Sequence, residues 1–208
     1  MGCYMLPSVE SQSDSDFEVR ELRHRTRNSM HSVAALLRIQ SRQAKGAEAR
    51  DALTSAADRI SAFERINDIL DRSRLGTTTP RALLEALVRE IHRAMIGTRG
   101  ISIEVEACEH PVSSRLGATL GLVTNELVTN ALKYAFPDDR NGTVLIRCVK
   151  EGASLVLDVQ DDGIGASSIK PGLGLKLVGS LVSKADGSLE KLETGGTAWH
   201  VVLPLTPY

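Results

Sequence analysis

The chain reads as an α+β protein, an N-terminal antiparallel helical hairpin followed by a two-layer α/β sandwich. Three observations predict this. Residues 17–44 and 47–73 carry apolar side chains at helical spacing, interrupted only at Lys45-Gly46. Beyond Pro80, helical stretches alternate with short runs of two-residue periodicity, the mark of strands. Glycine clusters at Gly163, Gly165, Gly172, Gly174, Gly195 and Gly196 punctuate the second half, where turns must join those elements.

Each element follows from its residues. From Phe17 to Ala44 there is no Gly or Pro, and Leu22, Met30, Val33, Leu36, Leu37 and Ile39 share one broad face. In the second helix Leu53, Ala56, Ile60, Phe63, Ile66 and Leu70 alternate by three and four, as in a coiled-coil seam. Two such helices around a short turn fold back antiparallel. A lone hairpin buries little surface, so pairing with a second copy as a dimeric four-helix bundle is expected. Gly76–Thr79 read as a linker, with Pro80 placed for the first turn of a helix over 81–95. A strand at 101–105, a long helix at 113–134 stopped by Pro137, and strands at 143–149 and 154–160 come next. A helix at 173–184 and strands at 188–192 and 197–203 complete the sandwich. The expected organisation is a disordered tail over 1–16, a hairpin over 17–75 and a sandwich domain over 80–206, the tail being rich in Ser and Asp.

Composition narrows the functional classes. Twenty-five Lys and Arg against 26 Asp and Glu leave a formal charge of −1, which draws the chain neither to nucleic acid nor to anionic membrane. Aromatic residues make up 3%, so Leu, Val, Ile and Ala must build the core. No apolar run reaches the roughly 18 residues of a membrane helix. Cys3, Cys108 and Cys148 lack metal-like spacing and suit a reducing cytoplasm. Met1-Gly2-Cys3 is no myristoylation motif, because Leu6 stands where Ser or Thr is needed.

The chemistry concentrates in a few places. Glu126, Asn130 and Lys133 are spaced by four and three, so they share a helix face. An acid, an amide oxygen and a cation there suit a hydrated Mg²⁺ and the phosphates with it, since Mg²⁺ takes oxygen ligands and keeps several waters. A solvated polar face is the alternative reading. Asp161-Asp162-Gly163-Ile164-Gly165 then ends a strand, putting a carboxylate beside a turn that glycines make easily. A buried acid there accepts a hydrogen bond from an adenine amino group. Gly172-Leu173-Gly174 opens a helix whose N-terminal N–H groups favour phosphate. Gly195-Gly196-Thr197 precedes the last strand, where the Thr197 hydroxyl joins the adenine network.

In this order, the four elements resemble the N box, the two glycine boxes and the closing Gly-Thr motif of the gyrase, chaperone, histidine kinase and mismatch-repair ATPase superfamily. The likeness covers about 80–204 and implies ATP with Mg²⁺. It implies that Asn130 holds Mg²⁺, that Glu126 orients water or metal, and that Lys133 contacts phosphate. It further implies that Asp161 binds adenine, framed by Gly163, Gly165, Gly172 and Gly174. No Walker-type Gly-Lys-Ser/Thr loop is present. Upstream, Glu21-Leu22-Arg23-His24-Arg25-Thr26-Arg27-Asn28 and Leu36-Leu37-Arg38-Ile39-Gln40 resemble the phosphoacceptor box of the second histidine-kinase dimerisation family. That likeness implies His24 as the acceptor of the γ-phosphate. Arg23, Arg25 and Arg27 surround it with positive charge suited to hold an incoming phosphate. Arg25 occupies the position where many such kinases carry an acid, so Glu126 becomes the candidate for proton management. His31, seven residues on and roughly 10 Å away on nearly the same face, is either a rival acceptor or a partly exposed bundle histidine. His92, His110 and His200 read as structural or surface residues, with packing beside Trp199 sufficient for His200.

The resemblance implies an autokinase that passes phosphate to an aspartate on a response-regulator receiver domain. The alternatives on the same scaffold are a phosphatase of the phosphorylated regulator and a histidine phosphotransfer adaptor. A serine kinase acting as an anti-sigma factor shares the ATPase fold but has no need of the hairpin or His24.

Overall fold

A computed structural model describes residues 9–71, 77–97, 100–138, 140–165 and 172–205. Residues 1–8 of the expected tail and residues 72–76 of the expected hairpin end and linker lie outside these. The chain divides into two compact units, Met1–Glu64 and Arg65–Tyr208.

The first unit is a helical hairpin. Helix α1 spans Val9–Gln43 and α2 spans Ala47–Asp71, with the turn at the expected Lys45-Gly46. Residues 9–16, expected to be tail, are helical. No Gly or Pro interrupts them. The antiparallel pairing is recorded in side-chain contacts that run in opposite senses along the two helices. Ser41 donates to the Arg50 carbonyl at 3.0 Å and lies 2.8 Å from the Thr54 hydroxyl. Arg38 reaches Ser61 at 3.1 Å and Asp58 at 3.5 Å, and His31 faces Glu64. Among the described residues of this unit the buried side chains are small or polar, namely Ala34, Ser41, Ala57, Ala62 and Glu64. The expected seam residues Leu53, Ala56, Ile60 and Phe63 are only half-buried, and Leu22, Val33, Leu36 and Ile39 are exposed.

The second unit takes in the last turns of α2, earlier than the boundary the sequence suggests. Ile66 and Leu70 are buried over two glycines of a central helix. A Cβ at Gly121 would lie 3.0 Å from Ile66 Cγ2, and one at Gly117 would lie 2.9 Å from Leu70 Cδ2. Glycine permits that close approach. A two-residue strand β1 (Thr77–Thr78) pairs antiparallel with β3 (Val112–Ser113), a bridge that the sequence reading takes for linker and helix start. Helix α3 (Pro80–Ile91) starts as expected, with Pro80 in its first turn and the Thr79 hydroxyl accepting from Ala82 N–H at 3.2 Å. It passes into a π-helical turn at His92–Ile96. Strand β2 is Ile101–Ala107, and α4 is Ser114–Tyr134, capped by the Ser113 hydroxyl on Leu116 N–H at 3.0 Å. Strands β4 (Gly142–Glu151) and β5 (Ser154–Asp161), helix α5 (Leu173–Lys184), β6 (Ser188–Glu193) and β7 (Thr197–Pro204) complete the order.

Five strands form one mixed sheet in the order β2-β4-β5-β7-β6, with β2 parallel to β4 and the other neighbours antiparallel. Alternation sends Val144, Ile146, Cys148, Leu155, Leu157, Val159, Val201 and Leu203 to one face. There they meet Leu83, Leu84, Leu87, Leu120, Val123, Leu127, Val178 and Val182 from the helices, all buried. This is the expected two-layer sandwich. Burial pushes the Cys148 thiol up to about 12, with Cys108 and Asp158 adding to the effect, so Cys148 is an inert core side chain. On the opposite face, register aligns Glu106, Arg147, Asp158, His200 and Glu190 in a row of polar side chains. His200 Nδ1 lies 2.7 Å from Asp158 Oδ1. Its setting is therefore this polar row, and packing beside Trp199 is not the explanation, because neighbours along a strand point to opposite faces.

Candidate nucleotide-binding site

The site grows from the junction of α4, the end of β5 and the start of β7. The β5 ladder ends at Asp161, paired with Val144 on one side and Thr197 on the other. Alternation turns Asp161 to the same face as Leu157 and Val159, so a carboxylate sits at the margin of an apolar core and is 4% exposed. Its Oδ1 accepts the Gly163 N–H at 3.0 Å and the Thr197 N–H at 3.2 Å. Burial raises its pKa above the ordinary carboxylate value, while the two backbone N–H groups and the Thr197 hydroxyl pull the other way. The carboxylate is thus held in one orientation by the two glycine turns.

Those turns are strapped to the end of α4. Ile164 N–H donates to the Ala135 carbonyl at 3.0 Å, and a Cβ at Gly163 would overlap the Ala135 side chain and carbonyl. Gly196 lies so close to Asp161 that a Cβ would overlap the Asp161 carbonyl. Gly165 has φ +68°, a conformation that L side chains rarely adopt. Chain geometry accounts for these three glycines. Gly172 and Gly195 are different, because a Cβ at either would meet nothing within 4 Å. Gly172 stands at the N-cap of α5 in extended conformation, and Gly174, the second residue of the helix, is buried; the helix packs beside α4. The segment between the two glycine boxes lies outside the described residues.

Along α4, Glu126 is buried, Asn130 half-buried, and Lys133 and Tyr134 exposed. On this face of α4 an enclosed carboxylate thus gives way to side chains that reach solvent near the helix end. Glu126 and Asn130 supply oxygen donors one turn apart, a set too small to cage a bare ion but suited to a hydrated Mg²⁺. Among the described residues no cluster of three or more His, Cys, Asp or Glu could hold a metal by itself. Sequence reasoning missed two supports. Ala135 supplies the carbonyl and the small side chain on which Gly163 rests. Asp162 is turned to structure, its Oδ1 accepting the Thr143 N–H at 2.7 Å while its carbonyl accepts from Arg140 at 3.1 Å. The small residue directly after Lys133-Tyr134 was the available signal for the first; nothing in sequence separates the duties of Asp161 and Asp162.

The structure brings Asp161, Gly163, Gly165 and Thr197 together and straps them to the α4 end that follows Asn130 and Lys133. His24 belongs to the hairpin unit. It is exposed on α1, and no described residue hydrogen-bonds its ring. Arg25 pairs with Glu21 one turn back at 2.8 Å.

Known proteins match both parts. A family model described as histidine kinase matches residues 21–95, and one described as histidine kinase-, DNA gyrase B- and HSP90-like ATPase matches residues 116–207. The sensor histidine kinase PdtaS of Mycobacterium tuberculosis is 32% identical over 195 residues, covering 90% of this chain and 39% of that protein. Blue-light-activated histidine kinase 2 of Erythrobacter litoralis is 29% identical over 210 residues, covering 96% of this chain and 60% of that protein. The chain therefore spans less than two thirds of these relatives. Among solved structures, the Erythrobacter litoralis EL346 blue-light activated histidine kinase superposes with TM-score 0.63 at 26% identity, over 74% of this chain and 54% of that one. Its isolated histidine kinase domain gives TM-score 0.63 at 22% identity over 86% and 96%, which shows the fold. Among the described residues no helix is long and apolar enough to cross a membrane. With both parts matched in order along one chain, the protein belongs to the histidine kinases, joining a histidine-kinase hairpin to an ATPase domain of the gyrase and HSP90 type.

Proposed function

We propose that this chain is the ATP-dependent protein-histidine kinase core of a two-component system, working in the cytoplasm. It phosphorylates His24 and passes the phosphoryl group to an aspartate of a response-regulator receiver domain. The observation that carries the reading is the Asp161 turn. A buried carboxylate fixed by Gly163 and Thr197 N–H groups is strapped to the helix that bears Asn130 and Lys133, and the same chain presents an exposed imidazole among arginines.

In this reading Asp161 accepts a hydrogen bond from the adenine amino group, joined by the Thr197 hydroxyl, and Gly163, Gly165, Gly172 and Gly174 shape the backbone around the nucleotide. The N–H groups at the start of α5 and the Lys133 ammonium take the phosphates. Asn130 and Glu126 hold Mg²⁺, which when bound neutralises charge on the transferring phosphoryl group. His24 Nε2 attacks the γ-phosphorus and ADP leaves, with Glu126 the group proposed to manage protons. Positioning does most of the work in such transfers. The exposed α1 face, Leu22, Val33, Leu36 and Ile39, supports a homodimer through the hairpin, because a second copy would cover what one leaves open.

The test uses purified protein, labelled ATP and Mg²⁺. The expected product is acid-labile, base-stable phosphate, most of which disappears in His24→Ala together with all transfer to a receiver aspartate. Undiminished label and transfer in His24→Ala would remove His24 as the acceptor.

A further inference from the structure

The hairpin holds a second imidazole in a more elaborate setting than His24. His31 projects from α1 with its side chain 66% exposed, while the Glu64 side chain opposite it on α2 is 6% exposed. His31 Nδ1 lies 3.2 Å from the Arg27 carbonyl and 3.2 Å from Glu64 Oε1. The carbonyl accepts only a hydrogen, so the ring carries its proton on Nδ1 and leaves the Nε2 lone pair toward solvent. Glu64 Oε1 is buried and makes no hydrogen bond to any described residue. A buried carboxylate oxygen without a hydrogen-bond donor is costly and calls for an explanation. The charge that would satisfy it is a cationic His31 ring.

We infer that His31 is a second phosphoryl acceptor of the hairpin, with Glu64 placed to stabilise the charge that develops on its ring. In the step, Nε2 bonds to the γ-phosphorus of ATP, the bond from that phosphorus to the bridging oxygen breaks, and ADP leaves with the electron pair. Nδ1 keeps its proton, and the imidazole, now cationic, faces the Glu64 carboxylate. An acid behind an imidazole fixes its tautomer and stabilises its cation in the same way in other nucleophilic sites. Among the described residues no acid faces His24 in this way, and the nearby Glu21 is engaged by Arg25. The two rings sit seven residues apart on one helix face, so both are presented to the same side of the hairpin. For its donor the inference rests on the kinase reading.

Two donors keep the two ideas apart. Phosphoramidate transfers its phosphoryl group to an accessible imidazole with loss of ammonia and needs no nucleotide site. The full chain is treated with it, and phosphohistidines are mapped by mass spectrometry and ³¹P NMR at alkaline pH. His31 is expected to be modified at Nε2 faster than exposed His92. Glu64→Gln, isosteric and checked for folding by circular dichroism, is expected to lower the ratio of His31 to His92 labelling roughly tenfold or more. With ATP, His24→Gln is expected to retain a minor label on His31, lost in His24→Gln/His31→Gln. A His31 rate equal to that of His92 and indifferent to Glu64→Gln overturns the inference, as does ATP label confined to His24, which leaves the kinase reading standing. If the wild-type chain takes no label from ATP, the kinase reading falls, and the phosphoramidate ratio alone decides whether His31 is a nucleophile.

Discussion

The hairpin and the ATPase unit solve the problem of burial in opposite ways. In the ATPase unit large side chains fill the space between one sheet face and three helices, and Leu83, Leu84, Leu87, Leu120, Ile146, Leu155, Leu157 and Leu203 are fully enclosed. Among the described residues of the first unit the enclosed side chains are Ala34, Ala57, Ala62 and the polar Ser41 and Glu64, while Leu22, Val33, Leu36 and Ile39 face outward. One unit is closed by its own chain; the other keeps its larger apolar side chains for something else. The difference teaches that a helical seam read from sequence locates an apolar face without saying which molecule covers it. The comparison breaks first where a closed core is opened. Leu84→Ala is expected to cost about 2–5 kcal/mol, because a side chain that is wholly enclosed leaves a cavity which its neighbours only partly fill. Urea unfolding followed by circular dichroism measures it, and a loss under about 1 kcal/mol would mean that the unit repacks like a loose bundle.

The same contrast decides what was legible. Asp161, Gly163, Gly165 and Thr197 could be read in sequence because each residue type there serves a geometry few others allow. The helix starts at Pro80 and near Ser113 were legible from capping chemistry, and the strand alternation from 143 onward gave the sheet face. What stayed hidden depends on distant partners. Thr77–Thr78 become a strand only because Val112–Ser113 lies beside them. Ile66 and Leu70 fit the hairpin seam by spacing, yet Gly121 and Gly117 draw them into the other unit. Glu64 shows no sign in sequence of facing His31, since the thirty-two intervening residues must first fold back. His200 owes its contact with Asp158 to a register with β5 that no local pattern reveals.

A smaller effect, on function instead of folding, comes from the acid inside the closed unit. Asp161→Asn keeps an oxygen for the Gly163 and Thr197 N–H groups but offers adenine an amide in place of a carboxylate. Losing a hydrogen bond to a charged group is worth about 1.5–3 kcal/mol, so ATP affinity is expected to fall about 10- to 100-fold by calorimetry. Stability should move the other way. Burial raises the Asp161 pKa above its ordinary 3.8, so the native state binds the proton more tightly than the unfolded state. Stability therefore declines as pH rises from that ordinary value through the raised one, and the penalty is fully present above it. Without nucleotide, Asp161→Asn should be at least as stable as wild type at neutral pH and should lose that part of the pH dependence. Unchanged ATP affinity would make Asp161 a brace for the turn and nothing more.

The smallest folding effect belongs to the open face of the hairpin, and it sharpens the comparison most. Leu36 is 54% exposed on α1, and Gln has nearly the same helix propensity as Leu. Leu36→Gln should therefore shift the stability of a dilute, unassociated chain by no more than about 0.5 kcal/mol. If a second copy covers that face, the midpoint of thermal unfolding in the wild type must rise with protein concentration, since association stabilises the folded state by mass action. Leu36→Gln should flatten that dependence, and sedimentation should show its mass shifted toward the monomer. A variant that instead loses as much stability as Leu84→Ala at every concentration, with its mass unchanged, would mean that Leu36 is enclosed within a single chain. The hairpin and the ATPase unit would then be closed in the same manner, and the case for a hairpin-mediated dimer would lose its physical basis.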